Sequence, residues 1–292
     1  MIITVTGSTG TIGAELVRLL SNRYLPTRGV LRDTTRVRAL PHVAWVQADL
    51  RDVRVLEAVL GGTTRLFLLT GNEAGFAKTQ IQIVQAAQHL KVEHVVKLSA
   101  FGASDHSKSA IARGHWEVEQ AVQQSGPRWT ILRPHAFMQN WLGEVAESVR
   151  GEAVIYSPIG DGRVPFIDAR DIAAVALEAL VNPEAHAGRT YFLTGGEAAG
   201  LADLARAISD ETGTPVTYQP ISMDEARSRL QAKGISPEMI EATLAIAAYQ
   251  KAGGATATVS DKVARILGRP PRSIRDFVRD YASNFTTAHQ SS

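Results

Sequence analysis

The sequence has no cysteine among its 292 residues. That excludes disulfides, thiolate nucleophiles and thiolate metal sites, and it fits a cytoplasmic location. Charge of one sign is also missing. Thirty-one Lys and Arg stand against 29 Asp and Glu, a formal net charge of +2 scattered along the chain, which makes no electrostatic case for a nucleic-acid partner. No apolar run approaches the roughly 20 residues of a membrane span, and strand-like residues begin at Ile2 where a signal peptide would lie, so no membrane association is expected. No pair of histidines has His-x-x-x-His spacing, and no metal is expected. None of the 6 tyrosines is followed by lysine four positions on.

What is present is ordinary globular composition, 45% hydrophobic and 21% charged, in a chain long enough for one large domain or one large and one small. Six short apolar runs, Ile2–Thr6, Gly29–Leu31, Val43–Val46, Leu66–Leu69, His94–Leu98 and Trp129–Leu132, show little polar alternation and read as strands buried on both faces. Helical periodicity separates them, as in Thr79–Leu90 and Ser109–Gln123. This alternation predicts an α/β fold with a doubly wound parallel sheet. After residue 150 the pattern loosens into two further strands, "EAVIYS" and "RTYFL", and helices over Leu201–Thr212, Met223–Lys233, Glu238–Ala252 and Ile274–Tyr281. We expect a parallel-sheet domain over 1–153, with 164–190 returning to it, and a smaller helix-rich C-terminal domain over 191–292 with 154–163, beside the sheet's carboxyl edge. No internal repeat or disordered linker is visible, apart from a frayed tail after about Asn284.

The first strand runs into "TGSTGTIG". Gly7 permits the tight turn, Gly10 lets the backbone approach a pyrophosphate, and Gly13 lets helix and sheet pack closely. The N–H groups at the helix start, from Thr11 and Ile12 on, then face the phosphates, where the helix dipole favours negative charge. Ser8, Thr9 and Thr11 add hydroxyl donors. Such a turn between a strand and a helix predicts a dinucleotide. At the end of the second strand a carboxylate favours a ribose diol, and an arginine favours a 2′-phosphate. Arg32 and Asp33 stand side by side there. Arg36 and Arg38 follow, which favours NADP(H), with NAD(H) as the alternative. Asp49 and Leu50 are expected at the adenine, and Leu69, Thr70 and Gly71 near the nicotinamide ribose.

The spacing G-x-x-G-x-x-G resembles the extended and atypical branches of the short-chain dehydrogenase/reductase superfamily. Together with "VLRD", "IARGHWEVEQAV", "ILRPHAFMQNW", "VPFIDARDIAAVALEAL" and "RTYFLTGGEAAG", it resembles the NmrA-like family over essentially the whole chain. Within that family the stretch from Gln219 to Pro271 is most similar to the bacterial quinone, triphenylmethane-dye and azo-dye reductases. The resemblance implies a Rossmann-type domain bearing NADP and a smaller domain closing a cleft over the nicotinamide. It implies that Pro134, His135, Ala136 and Phe137 lie against the nicotinamide. It places Ser99 where related enzymes carry a Ser/Thr hydroxyl. It puts His115 where some plant reductases of the family carry a catalytic lysine, which excludes a lysine mechanism of that kind and disfavours an isoflavone-type reductase.

The superfamily's Tyr-x-x-x-Lys pair supplies a proton to a carbonyl oxygen. Without it, acceptors that take hydride with little help from a protein acid fit best: a triarylmethane cation, a quinone or an azo bond. We expect hydride transfer from NADPH to a small aromatic acceptor in an apolar cleft. Its walls would come from Phe76, Phe137, Trp141, Tyr156, Phe166 and Tyr249, with Gln139 and Asn140 for polar orientation. For each aromatic, core packing is the competing reading, and the resemblance singles out Phe137 and Tyr249. His115 is the candidate catalytic group, as a donor to a developing oxyanion, against an inert helix histidine. Glu119, one turn on, either orients His115 or pairs with a basic neighbour. The alternative function is a non-catalytic, dinucleotide-sensing regulator acting through a protein partner. Monomer and homodimer both remain open.

Overall fold

Runs of Val, Ile and Leu too short for helices, each closed by a glycine or polar turn, form the strands. A computed structural model of the chain describes residues 1–286. The tail expected to fray after Asn284 lies, from residue 287, outside the described residues, while Phe285 is buried in a core. The strands are β1 (Ile3–Val5), β2 (Thr27–Leu31), β3 (Val43–Gln47), β4 (Arg65–Leu68), β5 (His94–Leu98), β6 (Arg128–Pro134), β7 (Val154–Ser157), β8 (Arg189–Leu193) and β9 (Thr217–Pro220). Seven of them make one parallel sheet in the order β3-β2-β1-β4-β5-β6-β8, and β7 pairs with β9 in a separate two-stranded sheet. Among the described residues no helix is long and apolar enough to cross a membrane.

Strand order reverses between β1 and β4. Both start their pairing at Ile3, which faces Thr27 of β2 on one side and Arg65 of β4 on the other. The carboxyl ends of β1, β2 and β4 therefore come together, the switch point at which open α/β sheets bind ligands. The helices Thr11–Asn22 and Ala169–Val181 pack on each other, as do Phe76–His89 and Ala110–Gln124. The latter pair shares a core with the sheet through Val84, Ala87, Val95, Val118 and Val122.

The chain divides into two compact units. Of the described residues, the first comprises 1–135, 169–193 and 262–269, the second 136–168, 194–261 and 270–286. The sequence placed 136–153 and 164–168 with the sheet, but the chain leaves the sheet once β6 ends at Pro134. Glu144–Glu152 then packs on the turn Met138–Leu142 and on β7. Conversely, Lys262–Leu267 returns to the first unit against Ala169–Val181 and β8. The second unit has its own core around Trp141, Phe166, Leu204, Ile208 and Phe277. Strand β9, within a region read as helical, was not expected. Its four residues include only one that is not exposed, Tyr218, and so offer no apolar pattern.

Candidate functional site

The glycine turn is built as its spacing requires. Gly7 has φ +63°, in the left-handed region, and its carbonyl accepts the Gly10 N–H at 3.0 Å. A Cβ on Gly13 would lie 2.1 Å from that same carbonyl oxygen, so helix Thr11–Asn22 can approach the turn only without a side chain there. Gly10 is different. A Cβ on it would meet only Gly7 O, at an ordinary 3.4 Å, so packing within the protein does not require glycine at this position. Gly10 is the N-cap of the helix, and no side chain caps the first N–H groups. The missing Cβ and the uncapped amides together form a cradle suited to an anion.

The cradle borders a pocket of about 340 Å³ in the first unit. Ten expected residues line it: Gly7, Thr9, Gly10, Arg32, Asp49, Leu50, Leu69, Thr70, Gly71 and Phe76. Phe76, read as an acceptor wall, thus stands with the dinucleotide candidates. Thr6 fixes the pocket's base, its hydroxyl donating to Leu69 O at 2.8 Å and accepting from Leu69 N at 2.9 Å. Thr70 Oγ1 accepts from the buried Gln80 at 2.7 Å. Ser8 corrects the sequence reading: its buried hydroxyl donates to Val30 O at 2.7 Å and is not offered to a phosphate. Thr11, Ile12 and Gly13 open the helix without lining the pocket.

Arg32 and Asp33 separate. Asp33 Oδ1 accepts from Thr35 N at 3.0 Å and Thr35 Oγ1 at 2.6 Å, capping the turn Thr34–Arg36. Arg32 borders the pocket and lies 3.4 Å from Glu73 Oε1, both side chains exposed. Arg38 does not line the pocket. Arg51 and Glu73 do, and the sequence reading missed both. Arg51 donates to Asp49 through Nε at 2.9 Å, and hydrogen bonding from its side chain and backbone N–H holds the Asp49 carboxyl down at about 2. That Asx-turn-like local pairing was the available sequence signal for Arg51; Glu73 had none.

Behind Phe76 lies a buried polar cluster. Phe76 and His115 pack with ring centroids 5.1 Å apart and planes tilted by 53°, and His115 is 4% exposed. Its Nδ1 is 3.2 Å from Nζ of Lys97, a fully buried lysine on β5 that the sequence reading passed over. Burial first, then the Lys97 charge, pushes the imidazole down to about 3, so His115 is neutral at physiological pH. Glu119 does not orient His115. It accepts from Arg133 Nε at 2.9 Å and from the Ser99 hydroxyl, and is 1% exposed. Ser99 is thereby committed to that cluster. Pro134 O accepts from Phe101 N at 3.1 Å, His135 N donates to Leu193 O at 2.9 Å, and the His135 ring packs on Phe101; neither residue lines the pocket.

The second unit contains a cavity of about 770 Å³. Ala136, Phe137, Asn140, Trp141, Tyr156 and Phe166 line it, which gathers five of the eight expected acceptor residues and two, Ala136 and Phe137, expected against the nicotinamide. Trp141 is held edge-on by Phe166 at 4.7 Å and Phe277 at 5.6 Å. Arg229 stacks over Tyr156 at 3.8 Å. Gln139 is absent from the walls, its amide donating to Asp168 Oδ1 at 2.9 Å. Tyr249 is 51% exposed and does not line the cavity, whereas its helix neighbours Ile246, Ala247 and Gln250 do.

A parallel sheet with strand order 3-2-1-4-5-6 and a glycine cradle at its switch point defines a Rossmann-like, dinucleotide-binding class of protein. The chain belongs to the NmrA-like family, whose model matches residues 1–278. It is 36% identical over 288 residues to an NAD(P)H azoreductase of Xenophilus azovorans, covering 98% of this chain and 100% of that protein. In fold it is similar to the triphenylmethane reductase of Citrobacter sp. complexed with NADP(H), with a TM-score of 0.85, 22% identity and coverage of 95% and 99% of the two chains. It is equally similar to an NADPH-dependent quinone oxidoreductase of Escherichia coli complexed with NADPH, with a TM-score of 0.85, 24% identity and coverage of 96% and 99%. At these identities the two structures establish the fold alone.

Proposed function

We propose that the protein is an NADPH-dependent reductase that transfers a hydride to a quinone-like, azo-dye or triarylmethane-dye acceptor. The observation that carries the cofactor half is the divergence of Arg32 and Asp33: the arginine borders the pocket at the glycine cradle while the carboxylate is spent on its own turn. An unspent carboxylate there would repel a 2′-phosphate; an arginine attracts one. The cradle at Gly10 would hold the pyrophosphate, Asp49 and Leu50 the adenine side, and Leu69, Thr70 and Gly71 the nicotinamide side. When bound, the nicotinamide supplies a hydride, and the chain's own residues position and shield.

The acceptor half is supported by the 36% identical azoreductase and by the second unit's cavity, whose volume of about 770 Å³ suits a multi-ring aromatic. Phe137, Trp141, Tyr156 and Phe166 offer flat apolar surface, and Asn140 a polar contact. Lack of a Tyr-x-x-x-Lys pair directs the chemistry to acceptors that stabilise the transferred electron pair themselves. The same lack favours one other reading, a regulator that binds dinucleotide without turning it over.

Purified protein and NADPH, mixed in turn with a naphthoquinone, an azo dye and a triphenylmethane dye, test the proposal. Loss of reduced-nicotinamide absorbance with at least one acceptor is expected. Tight NADPH binding without oxidation by any acceptor would favour the regulator.

A further inference from the structure

Lys97 is an unusual occupant of a strand interior. It is 0% exposed, and its Nζ has two hydrogen-bond partners, Leu98 O at 2.6 Å and His115 Nδ1 at 3.2 Å. Neither is a carboxylate. Glu119 acts on it only through space and is itself held by Arg133 of β6 and Ser99. Burying an amine with so little compensation is costly, and a methionine of similar volume would cost less. An ammonium has only donors to offer, so His115 Nδ1 must present its lone pair, and the ring proton sits on Nε2. Among the described residues Nε2 makes no hydrogen bond to protein, yet it is not among the sealed polar atoms without a partner, which include His94 Nδ1 and Gln80 Oε1. One ring nitrogen is therefore fed from the interior and the other is not sealed; His115 lines neither cavity itself, but its ring lies against Phe76, which lines the first unit's pocket.

We propose that Lys97 is a positioning residue that makes His115 a directional proton donor, fixing its Nε2–H tautomer and supplying Nδ1 when Nε2–H gives its proton to an acceptor oxygen. The inference rests on the reductase reading. Hydride transfer brings two electrons and one hydrogen to a quinone and leaves a negative oxygen. The proton passes from His115 Nε2 to that oxygen, directly or through one water, while a second passes from Lys97 Nζ to Nδ1. The O–H and Nδ1–H bonds form as the Nε2–H and one Nζ–H bond break. Solvent then protonates Nε2, and the Nδ1 proton returns to Lys97, so each turnover consumes one solvent proton. Burial pushes the Lys97 ammonium down to about 7, against a smaller opposing pull from Glu119, which brings it within reach of exchange at neutral pH. The missing Tyr-x-x-x-Lys pair would thus be replaced by a Lys–His pair drawn from a strand and the following helix.

The test has two readouts. The first is ¹⁵N NMR of the histidine-labelled protein without cofactor at about pH 6, below the Lys97 value of about 7, where its amine is charged. His115 is expected as the Nε2–H tautomer in wild type and as a tautomer mixture in Lys97→Met. A wild-type spectrum showing Nδ1–H overturns the proposal, whether or not any variant folds. The second is the ratio of naphthoquinone turnover, which needs a proton, to triarylmethane turnover, which places hydride on carbon and needs none. Lys97→Met is expected to lower this ratio about 100-fold, and Lys97→Arg to restore part of it. An unchanged ratio, whether both turnovers fall together or neither does, assigns Lys97 a structural role and overturns the proposal. If the wild type reduces neither these two acceptors nor the azo dye, the reductase reading fails; if it reduces the azo dye but not the quinone, the proton role fails and the reductase reading stands, while the NMR result reports the pairing on its own in either case.

Discussion

Asp33 Oδ1 accepts from Thr35 N at 3.0 Å, while the adjacent Arg32 borders the first unit's pocket 3.4 Å from Glu73. Two neighbours of opposite charge are thus divided between a local turn and a binding surface. The division gives a test of cofactor choice. Arg32→Ala is expected to raise KM for NADPH by about 10- to 100-fold, the worth of a charge-assisted phosphate contact, and to leave KM for NADH unchanged. Asp33→Asn keeps an Asx cap and is expected to change neither. Steady-state kinetics with both cofactors give the answer.

The three glycines separate structure from binding. A Cβ at Gly13 would sit 2.1 Å from Gly7 O, inside any tolerable contact, so Gly13→Ala is expected to lower the melting temperature with or without cofactor. A Cβ at Gly10 meets nothing closer than 3.4 Å, so Gly10→Ala is expected to melt like wild type alone but to lose most of the stabilisation that NADPH gives. Thermal melts with and without NADPH distinguish the two.

Glu119 and Arg133 form a buried pair, the carboxylate 1% and the guanidinium side chain 13% exposed. Removing one partner strands the other. Glu119→Ala is expected to cost about 3–5 kcal/mol of unfolding free energy in urea titrations, and the Glu119→Ala, Arg133→Met pair less than the sum of the singles.

His94 sets an acid limit. It is 0% exposed, its Nε2 lies 2.9 Å from Thr130 Oγ1, and burial first, then Arg128 and Arg65, pushes it down to about 4. The unfolded chain binds this proton below about 6.5, the folded chain only below about 4. Unfolding is therefore favoured as pH falls through that window, at up to about 3 kcal/mol from this group. Denaturant titrations across the window should show the slope, and His94→Asn should reduce it to about half, because His115, pushed down to about 3, contributes with the same sign.

Local features made much of this molecule legible in its sequence. The apolar runs of β1–β6 and the glycine turn each fit within a few residues, and helix Leu201–Thr212 has the bounds its periodicity gives. Long-range pairing was not legible. Lys97 and His115 are 18 positions apart on different elements, and although His94–Leu98 reads as a strand buried on both faces, nothing in "HVVKLSA" shows what its lysine meets. Glu119 had two readings until Arg133, 14 residues on, was seen to hold it. Tyr249 shows the limit of a helical pattern without a known face: residues one and three positions away line the cavity, and the tyrosine does not. The boundary at His135 was missed because β6 continues its apolar pattern into the loop that leaves the sheet.

Direct transfer of hydride from NADPH to an acceptor is the account's central claim, and isotope transfer tests it most directly. The protein would be mixed with NADPH deuterated at the transferred position and a triphenylmethane dye, and the colourless product examined by mass spectrometry. The account predicts one deuterium on the central carbon, with NADPH consumed in equal amount. NADPH that binds yet stays unoxidised by this dye, by a naphthoquinone and by an azo dye alike, or a product free of deuterium whichever face of the nicotinamide is labelled, would contradict it.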